Sequence, residues 1–331
     1  MKPKTLALVA LAATLVATGA FAQAGGGWTP PRTASGQPDL QGIWVNNTAT
    51  PFERPKIFGE KATLNDEELA DLKARLEAMR EDLQAGDLLG DFLIQKVLED
   101  PEFRGFDQKT GNYNSFWLAD RELDNRTSLV IDPPDGRLPP MTPEGQKRLA
   151  GSFGRFGRLP EDHNDLGLND RCISYGVPNL LAGYNSYFHL VQSDSHVGIL
   201  QELIHDARLI PLDGRPHVAD QIRQLHGDSR GRWEGDALVV ETRNYRVLGA
   251  PRGSSQSVTV TERFERTGRD VLEWTITFDD PDTWTQPWTL MIPLARSTDA
   301  IFEYACHEGN YALRGILGGA RAQEVAQASS N

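Results

Sequence analysis

The stretch EYACHEGNYALRGILGG, residues 303–319, sets Glu303, Cys306, His307 and Glu308 within six positions. Such a set can hold a metal, pass protons, or merely flank one half of a disulfide. A strand through 301–307 alternates its side chains, placing Phe302, Tyr304, Cys306 and Glu308 on one face and Glu303, Ala305 and His307 on the other. The ligands of a structural zinc must converge on one point. The spacing therefore favours Glu303 and His307 as an acid/base pair over a metal cage. Neither HExxH nor a paired CxxC occurs anywhere. If a divalent metal is bound, its ligands come from His205, His217, His307 and Glu308.

All seven histidines fall between His163 and His307, and QELIHDARLIPLDGRPHVADQIRQLHGDSRGRWEGD, residues 201–236, is the densest stretch of candidate chemistry. If 201–210 is extended, Glu202, Asp206 and Arg208 project to one face and His205 to the other. On the inside of a barrel they form a polar floor that orients a ligand or holds a general base; on the outside they are a solvated face. His205 reads equally as a catalyst or as a core histidine. DGRPH and HGDSRGRWEGD read as loops, with Gly214, Gly227, Gly231 and Gly235 allowing sharp turns. Loops at a barrel mouth gather ligand contacts, which singles out His217, His226, Asp228 and Arg232. The competing role for Arg232 and Trp233 is to brace a turn. Glu241 shares a strand face with Val239 and Arg243, and Glu262 with Val260 and Phe264. Buried, such carboxylates need partners or raised pKa values, and ion pairs with Arg243 or Arg263 are the structural alternative. The expected catalytic set is His205, Glu202, Arg208, His217, Glu303 and His307; the expected ligand contacts are His226, Asp228, Arg232, Glu241 and Tyr304. GxxxxGK[ST] is absent, and GGGW at 25–28 precedes no helix, so no nucleotide or other organic cofactor is expected.

These residues need a scaffold, and from Tyr187 onward the sequence supplies a β-pattern. Expected strands cover 187–192, 196–203, 207–212, 237–244, 256–266, 271–279, 288–294 and 300–306, separated by Gly-, Asp- and Pro-rich turns. Sequential hairpins of this kind predict an antiparallel meander closed into a barrel or strongly curled. The front half, 46–180, reads as helix and loop. After a first strand at 39–45 come a helix capped by Thr63 with Leu64, Leu69, Leu72, Leu76 and Met79, a second across 87–99, a short strand at 127–131, and a helix behind Thr142 and Pro143. A short helix over 310–321 closes a single domain, 39–321, and 322–331 is expected to fray.

The chain starts with Lys2, Lys4, an apolar run from Leu6 and a small-residue pattern at Ala20, Phe21 and Ala22, the signature of a signal peptide cleaved near Ala22. A flexible leader, 23–38, follows. No later apolar run is long enough to span a membrane. The mature chain is thus expected in the periplasm or secreted. Losing Lys2 and Lys4 takes the formal charge from −12 to −14, which disfavours nucleic acid, because phosphate contacts need a basic surface. A small-molecule ligand or substrate is the expected partner. Cys172 and Cys306 are the only cysteines; in an oxidising compartment they form one long-range disulfide or stay as free buried thiols.

The chain resembles a large family of exported bacterial proteins without an assigned activity. The resemblance lies in GIWVNNTATPFERP (42–55), NSFWLADRELDNRTSLVIDPPDGRLPPMTPEGQKR (114–148), DRCISYGVPN (170–179), ELIHDARLIPLDGRPH (202–217), GDSRGRWEGDALVVET (227–242) and IFEYACHEGNYALRGILGGAR (301–321). It implies a lipocalin-like barrel with appended helices and a disulfide tying the loop before the sheet to its last strand. Together the residues predict general acid/base chemistry on a small, largely apolar compound, with aromatic ones among the candidates, and a lyase or dehydratase favoured over an isomerase or hydrolase. The alternatives are a noncatalytic lipocalin-like carrier, and an envelope partner protein docking through Trp274, Trp284 and Trp288.

Overall fold

The computed structural model describes residues 28–80, 120–153 and 158–329. The signal peptide, the first residues of the leader and the expected helix at 87–99 lie outside them. Ten strands form a mainly antiparallel sheet: β1 (Gly42–Val45), β2 (Val130–Asp132), β3 (Tyr187–Gln192), β4 (His196–Gln201), β5 (Ala207–Pro211), β6 (Asp228–Glu234), β7 (Ala237–Arg243), β8 (Thr259–Arg266), β9 (Val271–Asp279) and β10 (Trp288–Ser297). Three α-helices, α1 (Asp66–Arg80), α2 (Pro143–Phe153) and α3 (Ala312–Ser329), and several short 3-10 turns complete the described elements.

The strand order is β5-β4-β3-β1-β10-β9-β8-β7-β6, with β2 added against β10. Two meanders, β3–β5 and β6–β10, are thus joined through β1, and β5 and β6, neighbours in sequence, end up on opposite edges. Among the described residues no ladder joins those edges, so the hydrogen-bonded path is open. Burial alternates along all of β8 and along β10 as far as Ala295, as period-2 geometry requires of strands with one covered face. The covered faces build one cluster that includes Trp44, Phe188, Ile210, Val240, Phe264, Trp274 and Ile292. Trp274 stacks on Phe264 at 5.5 Å and meets the edge of Phe188 at 5.5 Å. Trp274, Trp284 and Trp288 are all buried, so the exposed aromatic patch expected of a docking protein is not formed by them.

Several expectations change. HGDSRGRWEGD is no loop: β6 pairs with β7 from Asp228↔Arg243 to Glu234↔Ala237. Its glycines hide the strand in sequence, yet Gly231 is needed there because a Cβ would strike Ile210 and Leu212 at 2.9 and 2.7 Å. Residues 300–306 are not a strand, and the Phe302 N–H is given to the Glu202 side chain instead of a ladder. The extended stretch 201–210 is broken by a 3-10 turn, Leu203–His205, with Ile204 and His205 at φ 60° and 52°. Asn65, not Thr63, caps α1, exchanging 2.9 Å hydrogen bonds with Glu68 in a capping box. Helix α3 continues past Arg321 to Ser329, through the segment expected to fray.

Candidate functional site

Strict antiparallel pairing puts the starts of β3, β5, β6, β8 and β10 at one end of the sheet, together with the ends of β1, β4, β7 and β9. Buried polar side chains gather at this end, among them Asn46, Ser186, Glu202, Asp206, Asp228 and Asp280. It is the candidate site, and it has an inner floor, a rim and an outer flank.

The floor is built on β5 and β8. Arg208 forms a bidentate ion pair with Glu262, whose side chain is fully buried, and Glu262 Oε1 also accepts from Trp274 Nε1 at 3.1 Å. Burial opposes the charge on Arg208, but Glu262 outweighs it and the guanidinium pKa is raised. Tyr245, just past β7, is fully buried with its ring close to Gly227. Burial, reinforced by Glu262, pushes its phenol well above the usual range. Its hydroxyl lies near Thr242 without a hydrogen bond of normal geometry, and Arg208 Nε has no partner either. Thr242 is paired with Ser229 at 2.9 Å.

The rim is the turn 202–206 and the two segments packed on it. Glu202 is 3% exposed. Its Oε1 accepts from Phe302 N at 3.1 Å, while Oε2 has no hydrogen-bond partner. Burial raises its pKa against the opposing pull of the Phe302 N–H, the Asn185 side chain and the Tyr187 N–H. Asp206 accepts from Ser174 Oγ at 2.8 Å and Tyr175 N at 3.1 Å, and His226 Nε2 lies 3.3 Å from its other oxygen. Ser174 Oγ is also 2.9 Å from that same Nε2. Serine and carboxylate thus share one ring nitrogen, so this is not the relay of a nucleophilic triad, which uses both nitrogens. A disulfide between Cys172 and Cys306 ties the two covering segments together across 134 residues.

The flank lies on the outer face of β6 and β7. His217 Nδ1 is 2.9 Å from Asp228 Oδ2 and its Nε2 is 3.2 Å from Glu241 Oε1. Arg230 pairs with Asp228 at 2.6 Å and Arg243 with Glu241 at 2.9 Å. Gly227 makes the approach to Asp228 possible: it sits at φ 69°, and a Cβ there would meet Arg243 O at 2.7 Å.

Of the residues picked out by sequence, the structure brings Glu202, Arg208 and His226 to this end on the rim and floor, and His217, Asp228 and Glu241 to its outer flank. His205, Glu303 and His307 are exposed, as is Glu308, and Tyr304 is only half-buried. Arg232 points to solvent and pairs with Glu234 at 2.6 Å. The expected pairing of Glu303 with His307 required a strand that does not form. Among the described residues no group of three or more His, Cys, Asp and Glu side chains is arranged to hold a metal ion. Glu262 takes Arg208 as partner rather than Arg263, which pairs with Glu265. Ser174, Asn185, Tyr245 and Trp274 complete the site without having been singled out for it. Only Trp274 carried a sequence signal, through its alternation with core residues.

No protein-family model, curated protein or solved structure matches this chain. No helix among the described residues is long and apolar enough to cross a membrane.

Proposed function

We propose that this chain is an exported, lipocalin-like enzyme of the bacterial family it resembles, acting on a small, largely apolar compound, with aromatic ones among the candidates, by cofactor-independent acid/base chemistry. The observation that carries the reading is Glu202: a buried carboxyl with its pKa raised by burial and one oxygen without a partner. A carboxyl tuned toward neutrality is suited to give or take a proton at working pH. In an elimination, Glu202 as acid protonates the leaving oxygen. His226, whose Nε2–H is held by Asp206 and Ser174, takes the proton from carbon on Nδ1, and the C–H electron pair becomes the new double bond as the C–O bond breaks and water departs. Barrel curvature is supported by the Arg208–Glu262 contact, because β5 and β8 are six positions apart in the strand order and would lie about 29 Å apart on a flat sheet. It is also supported by Gly231 of β6 packing against Ile210 and Leu212. Export is supported by the N-terminal leader and the disulfide.

Native mass spectrometry of protein purified from the export compartment tests the reading. It is expected to reveal a small organic adduct, which the wild type converts on incubation and Glu202→Gln binds without converting. Conversion by Glu202→Gln at the wild-type rate sinks it. The second reading is a noncatalytic carrier, favoured because none of the seven histidines is buried in the core; it expects the adduct to be released unchanged by both proteins.

A further inference from the structure

We propose that Asp206, together with Ser174, is a positioning residue that fixes the ring proton of His226 on Nε2 and so reserves Nδ1 for the proton taken from substrate. The role in turnover rests on the acid/base reading above; the place of the ring proton does not.

Donor and acceptor accounting carries the inference. An ionised carboxylate only accepts, a serine hydroxyl has one proton to give, and a neutral imidazole has one donating and one accepting nitrogen. Asp206 and Ser174 are both buried. Asp206 Oδ2 takes the Ser174 hydroxyl at 2.8 Å and the Tyr175 N–H at 3.1 Å, while Oδ1 faces His226 Nε2 at 3.3 Å. With its proton given to Asp206, Ser174 Oγ can only accept. It does so from Gly176 N at 2.8 Å, and His226 Nε2 lies 2.9 Å away. Nε2 therefore carries hydrogen, shared between Ser174 Oγ and Asp206 Oδ1. The other tautomer would turn the Nε2 lone pair toward two acceptors at once. Nδ1 makes no hydrogen bond among the described residues.

Three separate stretches of chain hold this arrangement. Asp206 ends the turn before β5, and its carbonyl accepts from Gln201 N at 2.8 Å. His226 stands two residues before β6, ahead of Gly227 at φ 69°. Ser174 lies two residues past Cys172, on the covering segment that the disulfide anchors. The network thus links the approaches to β5 and β6, the two edges that no ladder joins among the described residues. Which nitrogen of a histidine reacts is set by the hydrogen bond the other makes. As Nδ1 takes the proton from carbon the ring becomes a cation, and Asp206 already faces it. After turnover Nδ1 gives that proton to solvent and Glu202 regains one, so the proton balance closes.

Asp206→Asn tests this. The Tyr175 N–H and the Ser174 hydroxyl hold the amide oxygen at the Oδ2 position, so the amide N–H groups face His226 Nε2 and the ring proton is expected to move to Nδ1. Long-range proton–nitrogen correlation spectra of the full mature protein labelled with ¹⁵N-histidine report which nitrogen carries hydrogen. They are recorded at about pH 8, above the ordinary histidine pKa, and loss of the signals in His226→Gln identifies the ring. The wild type is expected to show Nε2–H and Asp206→Asn to show Nδ1–H. Conversion of the adduct isolated with the wild type is expected to fall about 10⁴-fold in Asp206→Asn, the scale reached when a histidine base is left in the wrong tautomer. An unprotonated Nε2 in the wild type overturns the proposal without any variant having to fold. So does Nε2–H retained in folded Asp206→Asn, or conversion at the wild-type rate after the proton has moved. A wild type that converts nothing, while Asp206→Asn moves the proton as expected, defeats the acid/base reading and the role in turnover but leaves the placement of the proton standing.

Discussion

The two ends of the sheet handle buried polarity in different ways. At the end opposite the site, side chains are pinned by main-chain groups. Trp44 Nε1 donates to Leu40 O at 2.9 Å, Arg266 donates to Asp39 O at 3.1 Å and Arg269 O at 2.6 Å, and Gln192 bridges Leu40 N and Pro38 O. Arg266 and Arg296 also lie over the Trp44 ring at 5.5 and 5.7 Å. Arg266 Nε and Trp233 Nε1 are the exceptions there. At the site end the unmet groups include Asn46 Oδ1, Gln201 Nε2, Glu202 Oε2, Arg208 Nε, Tyr245 OH and Trp288 Nε1. One end is closed by local chain. The other carries buried polar atoms that the chain itself does not pair.

Breaking the floor should have the largest effect. Glu262→Ala leaves Arg208 buried and unpaired and is expected to cost about 3–5 kcal/mol of stability, read as a shift of the urea midpoint. Loss of less than about 1 kcal/mol would mean that the pair is solvated and the contrast between the ends is overstated.

Replacing both Cys172 and Cys306 by serine is expected next, at about 2–4 kcal/mol. The loss of amide protection should centre on Tyr175 and Phe302, whose N–H groups hold Asp206 and Glu202. Protection lost equally at Trp44 would show that the disulfide serves the whole sheet rather than the site end.

Glu202 gives a pH-dependent difference. A carboxyl whose pKa is higher folded than unfolded binds more protons in the folded state between the two values. Its contribution is therefore whole below the ordinary glutamate pKa and lost as pH rises through the folded value. Glu202→Gln is expected to melt above the wild type at pH 7, with the two curves converging near about pH 4. Glu273 is shifted the same way by burial, so the difference between the proteins, not the wild-type curve alone, reports Glu202. The smallest effect belongs to the opposite end. Asp236→Ala removes an exposed 2.6 Å ion pair with Arg32 and should change the melting free energy by under about 1 kcal/mol.

Much of this architecture is legible from sequence, and the errors share a cause. The alternation along TVTERFER and VLEWTITFD gives β8 and β9 directly. The Asp-Gly and Asp-Pro turns mark most hairpins. HGDSRGRWE failed as a strand because three arginine or tryptophan side chains share it with glycine, and Gly231 makes sense only against Ile210 and Leu212. IFEYACH failed in the other direction: its alternation is strand-like, but no strand edge takes its amides, and Phe302 N pairs with a side chain. Glu202, Asp206 and Arg208 are all buried and His205 is exposed, but a turn rather than an extended strand separates them, so the shared strand face expected for them does not form.

By itself the sequence determined which side chains share a face, since that follows from the period of two residues in a strand and needs no knowledge of the partner strand. It placed Glu262 with Val260 and Phe264, and Glu241 with Val239 and Arg243. Only the tertiary structure decided that Glu262 meets Arg208, 54 residues away, and Trp274. It alone left Arg208 Nε without a partner there, and it alone brought the carboxylates of the rim and flank to one end. Those outcomes depend on strand order, which is set by non-local pairing through β1, and no spacing along the chain encodes which distant strand a side chain will face.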